Sequence, residues 1–175
     1  MKSQSELTEL FRARDASCPK GKKMEIEVNL TNRKLWGCMM KNKDIVKYFY
    51  EVIVSENLLD ELSKYISEDC VQRAGEKEIF IGIDGMKQHL VALKKTYPDY
   101  TMKIIRQYVA GDYVISEFIK RGTHKGKFIG ITPTNKVLEI TGVDIDKVID
   151  GKIVEHGGAA NTFETFFEHH LIKPV

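Results

Sequence analysis

The sequence predicts an α+β fold in which N-terminal helices pack on one face of a curved antiparallel sheet and enclose a pocket. Three observations predict it. Residues 43–97 carry apolar side chains at helical spacing, residues 100–160 alternate in long strand-like segments, and the last strand passes from a histidine into small residues. A curved sheet covered by helices leaves a cavity at its wide end, which is a natural site for a small molecule.

The composition is that of one ordinary globular domain. The chain has 175 residues, of which 42% are hydrophobic and 30% charged, and its net charge of +2 is too small to indicate a nucleic-acid partner. No apolar run approaches the ~20 residues that cross a bilayer, and the first residues lack the apolar segment of a signal peptide. We therefore expect a cytoplasmic protein without a membrane partner.

Cysteine and histidine spacing speaks against a metal site. Cys18, Cys38 and Cys70 are widely separated, odd in number and without C-x-x-C spacing, which favours neither a disulfide framework nor zinc. No H-x-H or H-E-x-x-H motif occurs. The sequence therefore predicts no metal.

Residues 1–42 form an N-terminal extension of unknown role, followed by the main domain over residues 43–175. The extension offers a short amphipathic helix and the alternating segment "MEIEVNL". Three interpretations remain open: a packing arm, a partner-binding extension, or a stretch upstream of a true start at Met24, Met39 or Met40.

Three helices begin the main domain. The first is followed by a break at Ser55–Asn57, the second is short, and the third ends at Pro98. The predicted inward positions are Ile45, Val46, Phe49, Val52 and Ile53 in the first helix, Leu58, Leu59, Leu62 and Ile66 in the second, and Met86, Leu90, Leu93 and Tyr97 in the third.

Strands follow the helices. "SEDCVQRAG" is predicted to be extended. "YTMKIIRQYVAG" and "DYVISEFIKRGTHKGKF" are predicted to pair through the turn at 110–112, and "KVLEITGVDIDKVID" and "KIVEHGGAANTF" through Asp150–Gly151, a strong hairpin signal. The tail "TFETFFEHHLIKPV" has the apolar spacing of a terminal helix or a packing arm.

Two aspartates occupy the third long strand. Alternation in "EITGVDIDKV" puts Asp144 and Asp146 on one face with Ile140, although Val143 and Ile145 compete for the inward face. If Asp144 faces a cavity, burial should raise its pKa toward that of a useful base. The alternative for both aspartates is a salt bridge with a lysine or arginine.

The last strand and a loop supply the other candidates. His156 suits an acid, a base or a hydrogen-bond partner of Asp144, or else a histidine packed in the sheet. His124, in the "GTHKG" turn, is a candidate for the pocket mouth, with a solvated loop residue as the alternative. The glycines after His156 indicate a bulge or a widened pocket.

The segments "FYEVIVSENLLDELSKYISEDCV", "GIDGMKQHLVALKKTYPDYTMKI" and "GTHKGKFIGITPTNKVLEITGVDIDKVIDGKIVEH" together resemble the SnoaL-like polyketide cyclase family. The resemblance implies a cystatin-like α+β cone, the fold shared with nuclear transport factor 2, ketosteroid isomerases and scytalone dehydratase, in which N-terminal helices pack on a curved antiparallel sheet and enclose a pocket. The resemblance spans about residues 43–168. It implies a homodimer that needs no cofactor and acts on a small, largely apolar molecule with carbonyl groups.

The resemblance also implies roles for particular positions. The family's acid/base aspartate, two residues after the histidine of its "EH" motif, falls on Gly158. A second pocket group falls on Asp144, and a further acidic position falls on Asn161.

Two hypotheses follow. In the first, the protein is a cyclase, isomerase or lyase, with Asp144 and His156 as catalytic residues. The substrate-binding residues are then His124, Phe128, Gly158 and Asn161. In the second, it is a non-catalytic cone for ligand binding or dimerisation, because the family's acid is replaced by glycine.

Overall fold

The computed structural model describes residues 41–173. Four α-helices and six strands make up most of the regular structure in this part of the chain. The helices are α1 (Asn42–Tyr48), α2 (Leu62–Tyr65), α3 (Gly82–Thr96) and α4 (Thr162–Glu168). The strands are β1 (Ile66–Ala74), β2 (Lys77–Phe80), β3 (Thr101–Ala110), β4 (Tyr113–Thr123), β5 (Val137–Ile149) and β6 (Lys152–Ala160). The predicted extension lies outside the described residues, except for its last two positions.

The six strands form one open sheet in the order β2-β1-β6-β5-β4-β3. The predicted α+β cone is confirmed, but the sheet is mixed, because β1 runs parallel to β6 while every other neighbouring pair is antiparallel. Apolar alternation gives the face of a strand and not its direction, so the sequence did not reveal this pairing. Irregular register in β1, β3 and the β5–β6 pair bends the sheet.

The helices cover one face of this sheet and supply much of the core. Val46, Val52 and Ile53 of the first helical segment are fully buried, as predicted from their spacing. Burying each such side chain is worth about 1.5–3 kcal/mol. In α4, Phe166 is fully buried while Phe163 and Phe167 are exposed, so the tail is a helix with one apolar anchor. Within residues 41–173, no helix is long and apolar enough to cross a membrane.

The helix that starts as α1 continues as a π-helical segment, Phe49–Val54, which carries Tyr50. Two side chains attach this segment to β3. Ser55 Oγ donates to the carbonyl of Tyr50 (2.9 Å) and accepts from the amide of Met102 (2.9 Å), and Glu51 Oε1 accepts from the amide of Ile104 (2.9 Å). Single π-turns occur often at functional sites. Here the widened turn fixes the position of the Tyr50 ring.

Candidate functional site

A cavity of about 290 Å³ lies between the helices and the inward face of the sheet. Strand register explains why it is hollow. Gly158 and Ala160 on β6 pair with Asp144 and Gly142 on β5, so small residues replace the bulky side chains that would fill a core. The apolar part of the lining includes Phe49, Met86, Leu90, Leu93, Tyr97, Met102, Phe118, Phe128, Leu138 and Ile140.

Asp146, Tyr50 and His156 form a buried hydrogen-bonded cluster at one side of this cavity. The Tyr50 hydroxyl lies 3.0 Å from both carboxylate oxygens of Asp146, and His156 Nδ1 lies 3.0 Å from Asp146 Oδ1. Tyr50 Oη and His156 Nδ1 are 3.1 Å apart. Asp146 is fully buried, and His156 stands directly opposite it on the neighbouring strand. The ionised carboxylate therefore has two donors, which offset the cost of its burial.

The cluster sets the state of the His156 ring. Burial disfavours the charged imidazolium, but the hydrogen bond and charge of Asp146, with the charge of Asp144, outweigh burial and raise the pKa of His156. Because Nδ1 is held by Asp146, Nε2 is the ring nitrogen available to a molecule in the cavity, which His156 lines. His156 is therefore suited to donate a proton from Nε2.

Asp144 also lines the cavity and is half-buried. Burial raises its pKa to about 6; the neighbouring charge of Asp146 adds to this rise, while His156, Lys120 and Tyr50 act in the opposite direction. The carboxyl group is therefore mostly ionised at pH 7 and still basic enough to accept a proton. Val143 and Ile145 project to the exposed face, which settles the orientation that alternation left open.

Gly158 faces Asp144 across the β5–β6 pair. A Cβ added at this glycine would overlap Asp144 Oδ1 and would lie 2.5 Å from the carbonyl oxygen of Val143. The carboxyl group of Asp144 thus occupies the space that a side chain at position 158 would need. The glycine is required for Asp144 to adopt this position.

The other predicted site residues lie in two places. Phe128 lines the cavity and packs edge-on against Phe166, with ring centroids 5.9 Å apart. His124 is fully buried outside the cavity lining, where its Nδ1 is 3.2 Å from Thr134 Oγ1.

Asn161 also lies outside the cavity lining. Its backbone amide donates to the carbonyl of Thr141, and its Oδ1 accepts from the amide of Thr141 (2.8 Å). These contacts join the end of β6 to β5, and the side-chain oxygen is already engaged. The substrate-binding roles of His124 and Asn161 remain predictions.

Sequence reasoning missed Tyr50 and Lys120. Tyr50 precedes Val52 in a segment that reads as an ordinary amphipathic helix, and no local pattern reveals a π-turn. Lys120 had a signal: alternation from Val114 through Phe118 places it on the inward face of β4, where an apolar residue is expected. Lys120 lines the cavity.

Metal binding receives no support from the described side chains. In residues 41–173, no group of three or more His, Cys, Asp or Glu residues is arranged to hold a metal ion. The Asp146–His156 contact is a hydrogen-bonded pair, and Asp144 lines the cavity beside it.

Comparisons with known proteins agree on the fold. A family model described as SnoaL-like polyketide cyclase matches residues 44–166. IdmH from Streptomyces antibioticus is 24% identical, with a TM-score of 0.65, covering 75% of this chain and 99% of that one. AclR from Streptomyces galilaeus is 22% identical, with a TM-score of 0.65, covering 77% and 87%.

A SnoaL-like polyketide cyclase from Agrobacterium tumefaciens is 15% identical, with a TM-score of 0.65, covering 77% of this chain and all of that one (100%). At such identities the likeness to solved structures shows the fold alone. Among curated protein sequences, none gives a significant match.

Proposed function

Because the chain belongs to the SnoaL-like polyketide cyclase family, we propose that it is a cofactor-independent acid/base enzyme, a cyclase, isomerase or lyase, acting on an apolar carbonyl compound. One observation carries the proposal. A carboxyl group with a pKa of about 6, Asp144, lines the same cavity as His156, whose pKa is raised and whose Nδ1 is held by Asp146. Two titratable groups with different environments supply a base and an acid at neutral pH.

The first chemical step is removal of a proton from a carbon next to a carbonyl group. The Asp144 carboxylate takes this proton, and the C–H electron pair moves through the carbon to the carbonyl oxygen, giving an enolate. His156 Nε2–H donates a hydrogen bond to that oxygen and stabilises its developing charge. Because Asp146 and Tyr50 fix the imidazole ring, His156 needs no reorganisation during the step.

In a cyclisation, the enolate carbon then attacks a second carbonyl carbon of the same molecule. A C–C bond forms, the carbonyl π-bond breaks, and the new alkoxide takes the proton of His156. Asp144 keeps the proton removed from carbon, and exchange with solvent returns both groups to their starting states. In an isomerisation, Asp144 returns its proton to a different carbon.

The apolar walls of the cavity supply the remaining requirement, which is a folded substrate. The lining that includes Asp144 also contains apolar rings and branched side chains, among them Phe118, Phe128, Tyr97 and Leu90. A flexible substrate held against such walls loses conformational freedom before it reacts, which raises the effective concentration of its reacting atoms.

A second candidate function is favoured by a different observation. Position 158 is glycine where the family carries its acid, and the Asp144 carboxyl group fills the adjacent space. In this alternative the cavity binds a ligand without changing it, and Asp144 serves only as a hydrogen-bond acceptor.

We also propose that the protein is a cytoplasmic homodimer, as its resemblance to the family implies. The outward face of the sheet supports the dimer. Tyr108, Ile115 and Ile145 lie side by side on β3, β4 and β5, and Tyr108 and Ile145 are 48% and 43% exposed. A second copy would cover this apolar row.

Exchange of α-protons for deuterium tests the enzyme proposal without knowledge of the natural substrate. α-Tetralone in D₂O at pD 7 is followed by proton NMR with the wild-type protein and with Asp144→Asn, His156→Gln and Asp112→Asn. Asp112 lies in an exposed turn, so its variant is the control. We expect both the wild-type protein and Asp112→Asn to accelerate exchange. Asp144→Asn should lose the acceleration by about 10²-fold or more.

The two candidate functions give different results in this experiment. If α-tetralone binds but its exchange is not accelerated, and Asp144→Asn leaves the exchange rate unchanged, the result supports the binding cone and contradicts the enzyme. Acceleration that survives in Asp144→Asn shows that another group is the base.

A further inference from the structure

Lys120 occupies an inward position of the sheet that its neighbours fill with apolar side chains. On β4 it alternates with Phe118 and Gly122, which are both buried. It pairs with Met102 on β3 and Ile140 on β5, which are 6% and 4% exposed. Its side chain is therefore directed into the cavity, whose lining it joins.

The ammonium group of Lys120 has no carboxylate partner in the described part of the chain. Its Nζ lies over the Phe118 ring, 5.8 Å from the ring centroid. Burial lowers the pKa of Lys120, although the negative charge of Asp144 partly opposes this. A cation placed among apolar side chains costs free energy unless a counter-charge is supplied.

The charges along the cavity wall are unequal. Lys120, Arg121, His89 and His156 line the cavity, while Asp144 is the one carboxylate among the described lining residues. The charge of His156 is already matched by Asp146. His89 is exposed, and its pKa is lowered, first by desolvation and then by the positive charges of His156 and Lys120. The charge of Asp144 acts on Lys120, but the two side chains form no ion pair in the described residues, so an anion placed beside Nζ would supply a direct counter-charge.

We propose that Lys120 binds a carboxylate group of the substrate, so that the substrate class is an apolar keto acid in its ionised form. This inference rests on the proposed function of the same cavity. Asp144 pairs with Ser116, four residues before Lys120 on β4, which is a separation of about 13 Å along the strand at the backbone. The carboxylate is therefore several bonds from the carbon that loses its proton to Asp144.

The placement of Lys120 also gives it a positioning effect. With the carboxylate held at one end of the cavity and the apolar rings against the aromatic wall, the enolisable carbon has few positions other than beside Asp144. A neutral ester of the same acid would bind the apolar wall equally but lose the contact with Lys120.

A matched pair of ligands tests the proposal. 5-(2-Naphthoyl)pentanoate and its methyl ester share one aromatic ketone and differ in charge. Their Kd values are measured by isothermal titration calorimetry at pH 7.5 with wild-type protein, Lys120→Met, Lys120→Arg and Lys103→Met. Lys103 is an exposed lysine on neighbouring β3, so its variant controls for the loss of one surface charge.

We expect the wild-type protein to bind the carboxylate at least about tenfold more tightly than the ester, the usual size of a charge-assisted hydrogen bond. Lys120→Met should remove this preference while leaving the ester's Kd within about twofold. Lys120→Arg should keep the preference, and Lys103→Met should behave as wild type. Circular dichroism of each variant checks its fold.

Three results overturn the proposal: equal affinity of wild type for acid and ester, equal weakening of both ligands in Lys120→Met, or no binding of the carboxylate to the wild-type protein. Failure of the Lys120 proposal can be distinguished from failure of the proposed enzyme function. Asp144→Asn should keep the preference for the acid while losing proton exchange. Asp144-dependent exchange without a preference for the acid overturns only the role of Lys120.

Discussion

Asp144 and Gly158 face each other across two antiparallel strands, and the carboxyl group of Asp144 fills the volume that a Cβ at position 158 would occupy. The carboxyl group of this cavity thus stands on β5, one strand away from the position where the family resemblance expects it. The absence of a side chain at position 158 is a condition for that arrangement. It explains how a chain with glycine at this position retains a carboxyl group in the cavity.

Gly158→Ala should lower the free energy of unfolding by about 1–3 kcal/mol, because its Cβ would displace Asp144 and press on the carbonyl of Val143. Thermal melts measure the loss. The double variant Gly158→Ala/Asp144→Ala should recover part of it, since the overlapping carboxyl group is then absent. Wild-type stability in the single variant would contradict the described packing.

Asp144→Asn should raise the melting temperature at pH 8 and leave it nearly unchanged at pH 4. The pKa of Asp144 is about 6 in the folded state and near 3.8 in the unfolded chain. The unfolded chain therefore releases this proton first, and stability falls as pH rises from about 4 to 6.

Above pH 6 the ionised Asp144 lowers the free energy of unfolding by about 1–3 kcal/mol. Asparagine carries no charge, so Asp144→Asn removes this loss of stability. Asp112→Asn, at an exposed turn, controls for the loss of one negative charge. An equal effect of Asp144→Asn at both pH values would show that the carboxyl group is not desolvated.

Asp146→Asn should destabilise the fold by about 3–5 kcal/mol and lower the pKa of His156, because the imidazolium loses its buried counter-charge. With its raised pKa, His156 contributes stability that is full below its unfolded pKa and is lost as pH rises through the folded pKa. NMR titration of the His156 Hε1 proton measures the shift.

Tyr50→Phe is the matched comparison for Asp146→Asn. It removes one donor to Asp146 and keeps the Asp146–His156 pair, so it should cost about 1 kcal/mol. A pKa of His156 that is unchanged in Asp146→Asn would show that the pair does not control the ring.

Ile145→Lys should convert the proposed dimer into a monomer with an intact fold. The side chain lies in the outward apolar row with Tyr108 and Ile115, and two lysines facing each other across a dimer axis would repel. Light scattering after size-exclusion chromatography measures the mass. Val91→Lys, at a 45% exposed position on α3, is the control. A wild-type monomer would exclude the dimer.

Much of the fold follows from periodicity alone. The helices were predicted from Val46, Val52 and Leu90, and the inward face of β5 from the alternation around Asp144, because burial repeats with the geometry of each element. Family resemblance then identified the cone. The parallel pairing of β1 with β6 was not predictable, since it joins segments that are some 80 residues apart.

The candidate site was only partly predictable. Asp144 and His156 were found because charged residues interrupt apolar strands, and the structure places both on the cavity wall. Tyr50 was missed because its contacts with Asp146 and His156 bridge residues 96 and 106 positions apart. The prediction for Asn161 came from a position in the family motif, and here the side chain holds the backbone of Thr141.

The π-helical segment Phe49–Val54 also affects how this cavity can change in evolution. An α-helix turns by about 100° per residue, so a single deletion within Phe49–Val54 would restore regular winding and swing the Tyr50 ring away from Asp146. The buried acid would lose a donor while the surrounding sheet stayed intact. One codon thus separates an Asp146 with two donors from an Asp146 that keeps only His156, which makes this short segment a place where related proteins can gain or lose chemistry without refolding.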